Sequence, residues 1–297
     1  MSLHPGHLAT RDKPPPCRAA SQRFSRWRRA TQGSTLLLYL ALPFAGMTWV
    51  TGTLVALKLG PVDLLEPAAA LSAALAARTV GWWLLLGTAP VALLAAALGP
   101  VYCSWFCPFG FLSEALDRLR PRRWRRWSGQ PWVGVRRVRI SALAAFFALS
   151  LGLGLPLAAL LAPPRLATAL PLEAHAARGI PIVTASLLAA ILAFELLGPR
   201  RLVCRALCPA GALANLLRAP FSLRPRFAEE RCRCPDIAPC LQACPWGIDP
   251  REMRLHDGCT TCLACVDRCP SGALFTLRRP SRDPIREPIS GPPPLAG

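Results

Sequence analysis

The sequence has little histidine, and none of it lies where a haem would need it. The four histidines are His4, His7, His175 and His256, all outside the long apolar stretches. A haem held between two histidines inside a helical bundle is therefore excluded. The chain also lacks a nucleotide-binding motif and a nucleic-acid-binding motif. These absences disfavour a self-contained enzyme, and they indicate no nucleic-acid partner.

Acidic residues are also scarce, with 16 Asp and Glu against 35 Lys and Arg among 297 residues. The formal net charge is +19, yet 53% of the residues are hydrophobic. A soluble globular core does not usually combine these two features. The combination is typical of apolar membrane spans flanked by arginine-rich segments.

Long apolar stretches occur in four places, and each has a length that a bilayer-crossing helix needs. Three of them contain no charge, and the fourth contains only Glu195. We expect Glu195 to be a solvated carboxylate near the end of its span, and a proton or quinol group is the alternative. Buried core helices are the alternative interpretation. The predicted transmembrane helices are Leu36–Leu57, Val80–Leu98, Ile140–Leu161 and Ile180–Leu197.

The distribution of basic residues predicts an orientation for these helices. Nine arginines lie between Arg118 and Arg139, in the connection between the second and third stretches. The first and third connections hold only two basic residues each. The excess of Arg and Lys on one side indicates the cytoplasmic face. The sequence thus predicts a multi-pass protein of the inner (cytoplasmic) membrane, embedded in the lipid bilayer, with cytoplasmic N- and C-termini.

The apolar half of the sequence contains an internal duplication. With an offset of 101 residues, the motif Cys103-x3-Cys107-Pro108 falls on Cys204-x3-Cys208-Pro209. The same offset places the first apolar stretch on the third and the second on the fourth. Each repeat is therefore two predicted spans followed by C-x3-C-P. This arrangement predicts a parallel repeat with both motifs on one membrane face.

The strongest chemical motif lies near the C-terminus, with the spacing C-x2-C-x2-C-x3-C-P. Three thiolates at this spacing wrap one [4Fe–4S] cluster, and the fourth cysteine binds a neighbouring cluster in two-cluster ferredoxins. A zinc site is the alternative, but zinc is usually held by two well-separated C-x2-C pairs. The cysteines are Cys259, Cys262, Cys265 and Cys269.

A second cysteine set lies just upstream, at Cys232, Cys234, Cys240 and Cys244. Its end matches the ferredoxin pattern, whereas its start has irregular spacing. We expect the two sets to exchange their last ligands. Cys244 would complete a cluster with Cys259, Cys262 and Cys265, while Cys269 would complete one with Cys232, Cys234 and Cys240. A degenerate site with a labile cluster is the alternative.

The two C-x3-C-P pairs admit three interpretations. Cysteines four residues apart share one face of a helix, so two symmetry-related pairs would bring four thiols together. Such a group would hold a third cluster or a soft ion such as Cu(I). The alternative is a packing role for small, buried cysteines. The four residues are Cys103, Cys107, Cys204 and Cys208.

These observations predict a membrane α-helical fold class. Four transmembrane helices would form a two-fold internal repeat, followed by a small α+β ferredoxin-like domain with two [4Fe–4S] clusters. The predicted segments are a basic tail at 1–35, a first repeat at 36–120, a basic loop at 121–139, a second repeat at 140–220, the ferredoxin-like domain at 221–279 and a disordered Pro-rich tail at 280–297.

With its two C-x3-C-P segments, CSWFCPFG and CRALCPAG, followed by the Cys259–Cys269 motif, the chain resembles the NapH/MauN group of ferredoxin-type proteins. The resemblance covers roughly residues 24 to 278. It implies quinol oxidation and delivery of electrons to a redox enzyme through partner subunits, of ferredoxin or cytochrome c type. The irregular Cys232–Cys240 spacing departs from the family pattern.

Three functions follow from these features. The first is an electron-transfer subunit of a quinol-linked oxidoreductase complex. The second is a metal-handling or maturation factor, because the architecture also resembles oxidase-assembly proteins of the CcoG type, which resemble copper reductases. The third is a redox sensor whose clusters report rather than conduct. Shared architecture supports a redox function without identifying the partner.

Overall fold

The computed structural model describes residues 23–44, 50–119, 134–199, 201–232, 234 and 239–276. Three features of the sequence analysis lie outside these residues. They are the N-terminal 22 residues with Cys17, most of the basic loop at 121–139, and the Pro-rich tail from residue 280.

The first repeat folds into helices and one small sheet. The sheet is antiparallel with strand order β1–β2–β3, and its register pairs Val50 with Leu59 and Ala56 with Leu65. Its elements are α1 (Arg23–Ala41), β1 (Val50–Thr53), β2 (Ala56–Leu59), β3 (Val62–Leu65), α2 (Pro67–Ala77), α3 (Trp82–Leu98), α4 (Val101–Trp105) and α5 (Pro108–Leu119).

The second repeat follows the same order without the sheet, and a π-helical turn at Val203–Leu207 takes the place of α4. Its helices are α6 (Val135–Leu153), α7 (Leu157–Leu160), α8 (Pro163–Ala176), α9 (Ile182–Leu197) and α10 (Pro209–Leu216). The two repeats interlock, because α2 contacts α6, α7 and α10, while α1 contacts α8. The core therefore lies between the repeats.

A C-terminal module (residues 226–276) completes the fold. Strands β4 (Arg226–Phe227) and β5 (Leu274–Phe275) form an antiparallel pair that brings the two ends of the module together. The short helices α11 (Pro239–Ala243) and α12 (Ala264–Asp267) contact each other. Helix α12 also docks on α1, where the carboxylate of Asp267 accepts hydrogen bonds from the backbone N–H groups of Phe24 and Ser25, at 3.1 and 2.8 Å.

The prediction of four transmembrane helices is wrong. Among the residues that the structure describes, no helix is both long enough and apolar enough to cross a membrane. Helices α3 and α9 are apolar but have 17 and 16 residues, which is about 25 Å of helix. Helices α1 and α6 have 19 residues each, but their first turns carry arginines. The predicted multi-pass localisation in the inner membrane is wrong for the same reason.

Backbone breaks explain where the predicted spans fail. The first one, Leu36–Leu57, leaves the helix after Ala41 and ends in strands β1 and β2. The third one, Ile140–Leu161, is interrupted because Gly154 adopts a left-handed conformation (φ +67°) that ends α6. Glycine populates this conformation readily because it has no Cβ. In addition, α1 begins inside the segment that was predicted as a basic tail.

One buried carboxylate ties the N-terminal helix to the repeats. Glu114 on α5 accepts hydrogen bonds from Arg28 and Arg29 of α1, both at 2.7 Å, and lies 3.5 Å from the guanidinium of Arg201. Burial alone would raise the pKa of Glu114, but the charges of Arg28 and Arg201 and the hydrogen bond from Arg29 lower it to about 2. The carboxylate is therefore ionised under ordinary conditions and keeps α1 against α5.

Candidate functional site

The four C-x3-C-P thiols line one cavity between the repeats, which we call the four-thiol cavity. The cavity is small, with a volume of about 30 Å³. The charges of Cys208 and Cys107 add to burial in raising the pKa of Cys103, which shows that thiols from both repeats are neighbours. The lining cysteines are Cys103, Cys107, Cys204 and Cys208, as the internal repeat predicts.

Small residues after each motif let the two repeats approach. A Cβ added at Gly211 would lie 3.6 Å from the sulfur of Cys103, in the other repeat. A Cβ added at Gly110 would lie 3.0 Å from the carbonyl oxygen of Cys103. The two copies differ locally, since Cys103 lies on the α-helix α4 and Cys204 on the π-helical turn. Single π-turns are frequent at functional sites.

The sequence analysis missed Glu66, a buried carboxyl group beside the four-thiol cavity. One of its oxygens caps α2 by accepting a hydrogen bond from the N–H of Ala69 at 2.9 Å. The other oxygen, Oε1, has no hydrogen-bond partner among the described residues. Burial raises the pKa of Glu66 to about 7. The sequence did carry a signal for this residue. Glu66 directly precedes Pro67, and an acidic residue before a proline is typical of the start of a helix.

Glu195 is not the solvated carboxylate that its position in the sequence suggests. Only 1% of it is exposed. Its oxygens accept hydrogen bonds from the hydroxyl of Ser113 at 2.7 Å and from the N–H of Val203 at 2.9 Å. Burial raises its pKa despite these bonds. The residue therefore joins α9 to α5 and to the π-helical turn that carries Cys204.

Cys244, Cys259, Cys262 and Cys265 come together in the C-terminal module, and we call them the proximal group. Burial raises the pKa of the Cys262 thiol to about 12, and the charges of Cys244 and Cys259 contribute to this rise. The charges of all three other members likewise raise the pKa of Cys265. These contributions indicate that the four thiols are neighbours, and their role as ligands of one cluster stays a prediction.

The backbone around the proximal group is shaped to surround its thiols. Thr261 and Leu263, on either side of Cys262, both have positive φ angles, 55° and 57°. Non-glycine residues rarely adopt this conformation, and such strain clusters at functional sites. The N–H groups of Thr261 and Ile248 point to the sulfurs of Cys259 and Cys244, both at 3.4 Å. N–H donors to sulfur are among the interactions that adjust an iron–sulfur cluster.

A second group, the distal group, contains Cys232, Cys240 and Cys269. The charges of Cys269 and Cys232 add to the effect of burial in raising the pKa of Cys240. The N–H of Leu274 donates to the sulfur of Cys269 at 3.4 Å. Cys234, the fourth predicted ligand, packs against the same group.

Cys234 differs from the other cysteines of the C-terminal module because it is disulfide-bonded. A disulfide sulfur is not a thiolate, and the thiolate is the form that binds metals. The predicted role of Cys234 as an iron ligand therefore requires that this bond be reduced.

The three thiol groups adjoin one another. Cys265 of the proximal group lies in one hydrophobic cluster with Cys240 of the distal group and Leu274. Cys204 of the four-thiol cavity packs in one cluster with Cys244 and Cys262. The structure thus places the proximal group between the cavity and the distal group.

Direct hydrogen bonds fasten the first C-x3-C-P motif to the proximal loop. The indole N–H of Trp105 donates to the carbonyl oxygen of Thr261 at 3.2 Å, and the hydroxyl of Ser104 bonds to that of Thr260. Both Ser104 and Trp105 lie between the two cysteines of their motif. The sequence spacing alone did not indicate this contact.

The candidate ligands of both groups are all cysteines, the residues that hold iron–sulfur clusters. Within the described residues, no three His, Cys, Asp or Glu side chains come together in a way that would hold one metal ion. A [4Fe–4S] cluster is larger, because each thiolate binds a different iron of the cube. The proximal group, with four convergent thiols and N–H donors to its sulfurs, fits such a cluster. The distal group offers three free thiols and Cys234.

Comparison with known proteins supports this chemistry. The family model of the 4Fe-4S binding domain matches residues 79–126 and again residues 180–227. The two matches each contain one C-x3-C-P motif, and they repeat the offset found in the sequence. They confirm the prediction of two [4Fe–4S] clusters as cofactors. Which cysteines hold these clusters stays a prediction.

Several curated proteins are similar over most of the chain. The ferredoxin-type protein NapH of Haemophilus influenzae is 26% identical over 84% of this chain and 88% of its own length. The methylamine utilization ferredoxin-type protein MauN of Methylorubrum extorquens is 28% identical over 75% of this chain and 76% of its own. The protein YccM of Escherichia coli is 28% identical over 89% of this chain and 79% of its own length. No solved structure matches.

Proposed function

Because the chain belongs to the NapH/MauN-type family of ferredoxin-type electron transport proteins, we propose that it passes electrons from quinol toward a partner redox enzyme. The observation that carries this proposal is the neighbouring position of the thiol groups, since Cys265 and Cys240 lie in one hydrophobic cluster. When bound, a [4Fe–4S] cluster supplies a one-electron carrier.

We assign the cysteine ligands to two clusters according to which thiols lie near one another. Cys244, Cys259, Cys262 and Cys265 would hold the proximal cluster. Cys232, Cys234, Cys240 and Cys269 would hold the distal cluster, with Cys234 in its reduced form. The chain's contribution is to bury these thiols, to aim N–H groups at the sulfurs and to keep the two groups in contact.

The four-thiol cavity would hold a third redox centre at the end of this series. Its position supports the idea, because Cys204 packs with the proximal cysteines and Trp105 bonds to the proximal loop. A centre there would be separated from the proximal cluster by little more than side-chain contacts. The lining also includes the aromatic residues Tyr102 and Trp246.

The kind of partner protein follows from the number of electrons that a quinol releases and that a cluster carries. A quinol releases two electrons and two protons when it is oxidised, whereas each cluster carries one electron at a time. A protein with this arrangement separates the electron pair and delivers single electrons. Redox proteins of the ferredoxin or cytochrome c type are suitable acceptors.

Anaerobic reduction by quinol tests the proposal. The protein would be purified without oxygen, and iron, acid-labile sulfide and the EPR spectrum would be measured before and after adding excess menadiol. We expect about eight irons per chain and the signals of reduced clusters after quinol is added. About twelve irons would place a third cluster in the four-thiol cavity, whereas copper there would favour the metal-handling function.

Dithionite is the matched control for this experiment. It reduces clusters without a quinol site, so it shows whether intact clusters are present. Clusters that dithionite reduces and menadiol leaves oxidised would contradict the quinol-linked function. A protein with zinc in place of iron and sulfide would contradict the electron-transfer function as a whole.

A further inference from the structure

Arg218 is a buried cation directly beside the proximal group. It follows α10 and is 2% exposed. Its guanidinium donates to the carbonyl oxygen of Cys259 at 2.8 Å, to the carbonyl oxygen of Leu223 at 3.0 Å and to the hydroxyl of Thr261. Gly99 leaves room for it, because a Cβ at this glycine would collide with the guanidinium. The fold is therefore built to bury this side chain against the proximal loop.

Among the described residues, no carboxylate forms an ion pair with Arg218. Its hydrogen-bond acceptors are neutral, and none of the ion pairs within the described part of the chain involves it. Arginine stays protonated in proteins, and a buried charge without a counter-charge is costly. A [4Fe–4S] cluster with four thiolate ligands carries net negative charge, so a cluster at the proximal group would supply the missing anion.

The distal group has a different electrostatic environment. Its neighbouring cation is Arg251, whose guanidinium is paired with both oxygens of Asp249 at 3.1 and 3.2 Å. The hydrogen bond to Asp249 raises the pKa of Arg251, and the charges of Cys240 and Cys232 raise it further, which places Arg251 beside the distal thiols. The pair has almost no net charge. It also keeps more contact with solvent than Arg218 does.

We propose that the buried positive charge of Arg218 raises the reduction potential of the proximal cluster above that of the distal cluster. Reduction adds one negative charge to a cluster, and a nearby buried cation stabilises that added charge. When the two clusters together hold one added electron, that electron therefore resides on the proximal cluster, next to the four-thiol cavity. This inference rests on the proposed function, since it needs a cluster at each of the two thiol groups.

The test is an EPR-monitored redox titration of Arg218→Gln, Arg218→Lys and the unmodified protein. Two charges about 10 Å apart at an effective dielectric constant near 20 interact strongly enough to change an equilibrium by about tenfold. We therefore expect Arg218→Gln to lower the ratio of reduced to oxidised proximal cluster about tenfold at a given potential, equal to about 59 mV for one electron. Arg218→Lys keeps the charge and should stay close to the unmodified protein.

A double variant, Asp249→Asn with Arg251→Gln, is the control at the distal group. It removes a cation and an anion together. The ratio of reduced to oxidised distal cluster at a given potential should therefore change by less than about twofold. Cys262→Ser and Cys240→Ser would assign each EPR signal to its group. An unchanged proximal potential in Arg218→Gln, or an equal shift of both clusters, would overturn the inference.

The unmodified protein gives a test that does not depend on whether the variants fold. We expect its proximal cluster to have the higher reduction potential of the two. A higher potential at the distal cluster would refute the role of Arg218 while leaving the two-cluster function intact. A protein without two cluster signals would instead refute the proposed function, so the two failures are distinguishable.

Discussion

The proximal and distal thiol groups lie in contact, yet the protein surrounds them differently. The proximal group is fastened to the helical repeats by Trp105, Ser104 and Arg218. The distal group lies at the far side, next to the β4–β5 pair and to Leu274. One group of cysteines therefore lies beside a buried cation and is bonded to the repeats, whereas the other lies at a more peripheral site. The difference teaches that ligand spacing alone does not determine how a cluster behaves.

The largest expected effect separates the two groups by their iron content. Cys262→Ser should remove about half of the iron and acid-labile sulfide, because it deletes a buried thiol in the middle of the regularly spaced motif. Cys240→Ser, the matched control, should remove the other half and leave a different EPR signal. Loss of all iron in either variant would contradict the assignment of the eight cysteines to two separate groups.

A smaller effect is expected at Cys234, the irregular member of the distal group. After reduction of its disulfide, Cys234→Ser should leave a distal cluster with about one labile iron per chain, because Cys234 lies outside the regular spacing and only packs against the edge of the group. The measurement is iron per chain together with the EPR signal of a three-iron cluster. If the variant retains all its iron and an unchanged spectrum, Cys234 is not a ligand and its disulfide has a separate role.

The smallest effect concerns the attachment of the proximal loop. Trp105→Phe removes the hydrogen bond to Thr261 but keeps an aromatic ring, so we expect the free energy of unfolding to fall by about 1 kcal/mol. Urea denaturation under anaerobic conditions would measure it. The change should broaden the proximal EPR signal and leave the distal one as it is.

Trp246→Phe is the matched control for that measurement. The indole N–H of Trp246 is buried without a hydrogen-bond partner among the described residues, although its ring lies 5.3 Å from the guanidinium carbon of Arg201. Removing this N–H deletes no hydrogen bond, so the cost should be smaller. Equal destabilisation by the two substitutions would show that ring packing, rather than the Trp105 hydrogen bond, attaches the loop.

Local patterns predicted the parts of the fold that depend on neighbouring residues. Helices α3 and α9 begin within two residues of the predicted stretches Val80–Leu98 and Ile180–Leu197 and end at the same residues. The small sheet β1–β3 was not predicted, because an apolar run is compatible with a helix or a strand and only tertiary contacts decide between them. The same limit explains why apolar length was mistaken for a membrane span.

The sequence by itself led to the prediction of which cysteines belong together, because cluster ligation favours particular spacings that can be read from the chain. It also showed the two-fold repeat, whose copies place their C-x3-C-P motifs at one cavity. Only the tertiary structure decided what surrounds these thiols. Arg218 lies 41 residues from Cys259 in the chain, and Glu66 lies 37 residues before Cys103. Burial and charge at a site depend on contacts between distant segments, and no local spacing encodes them.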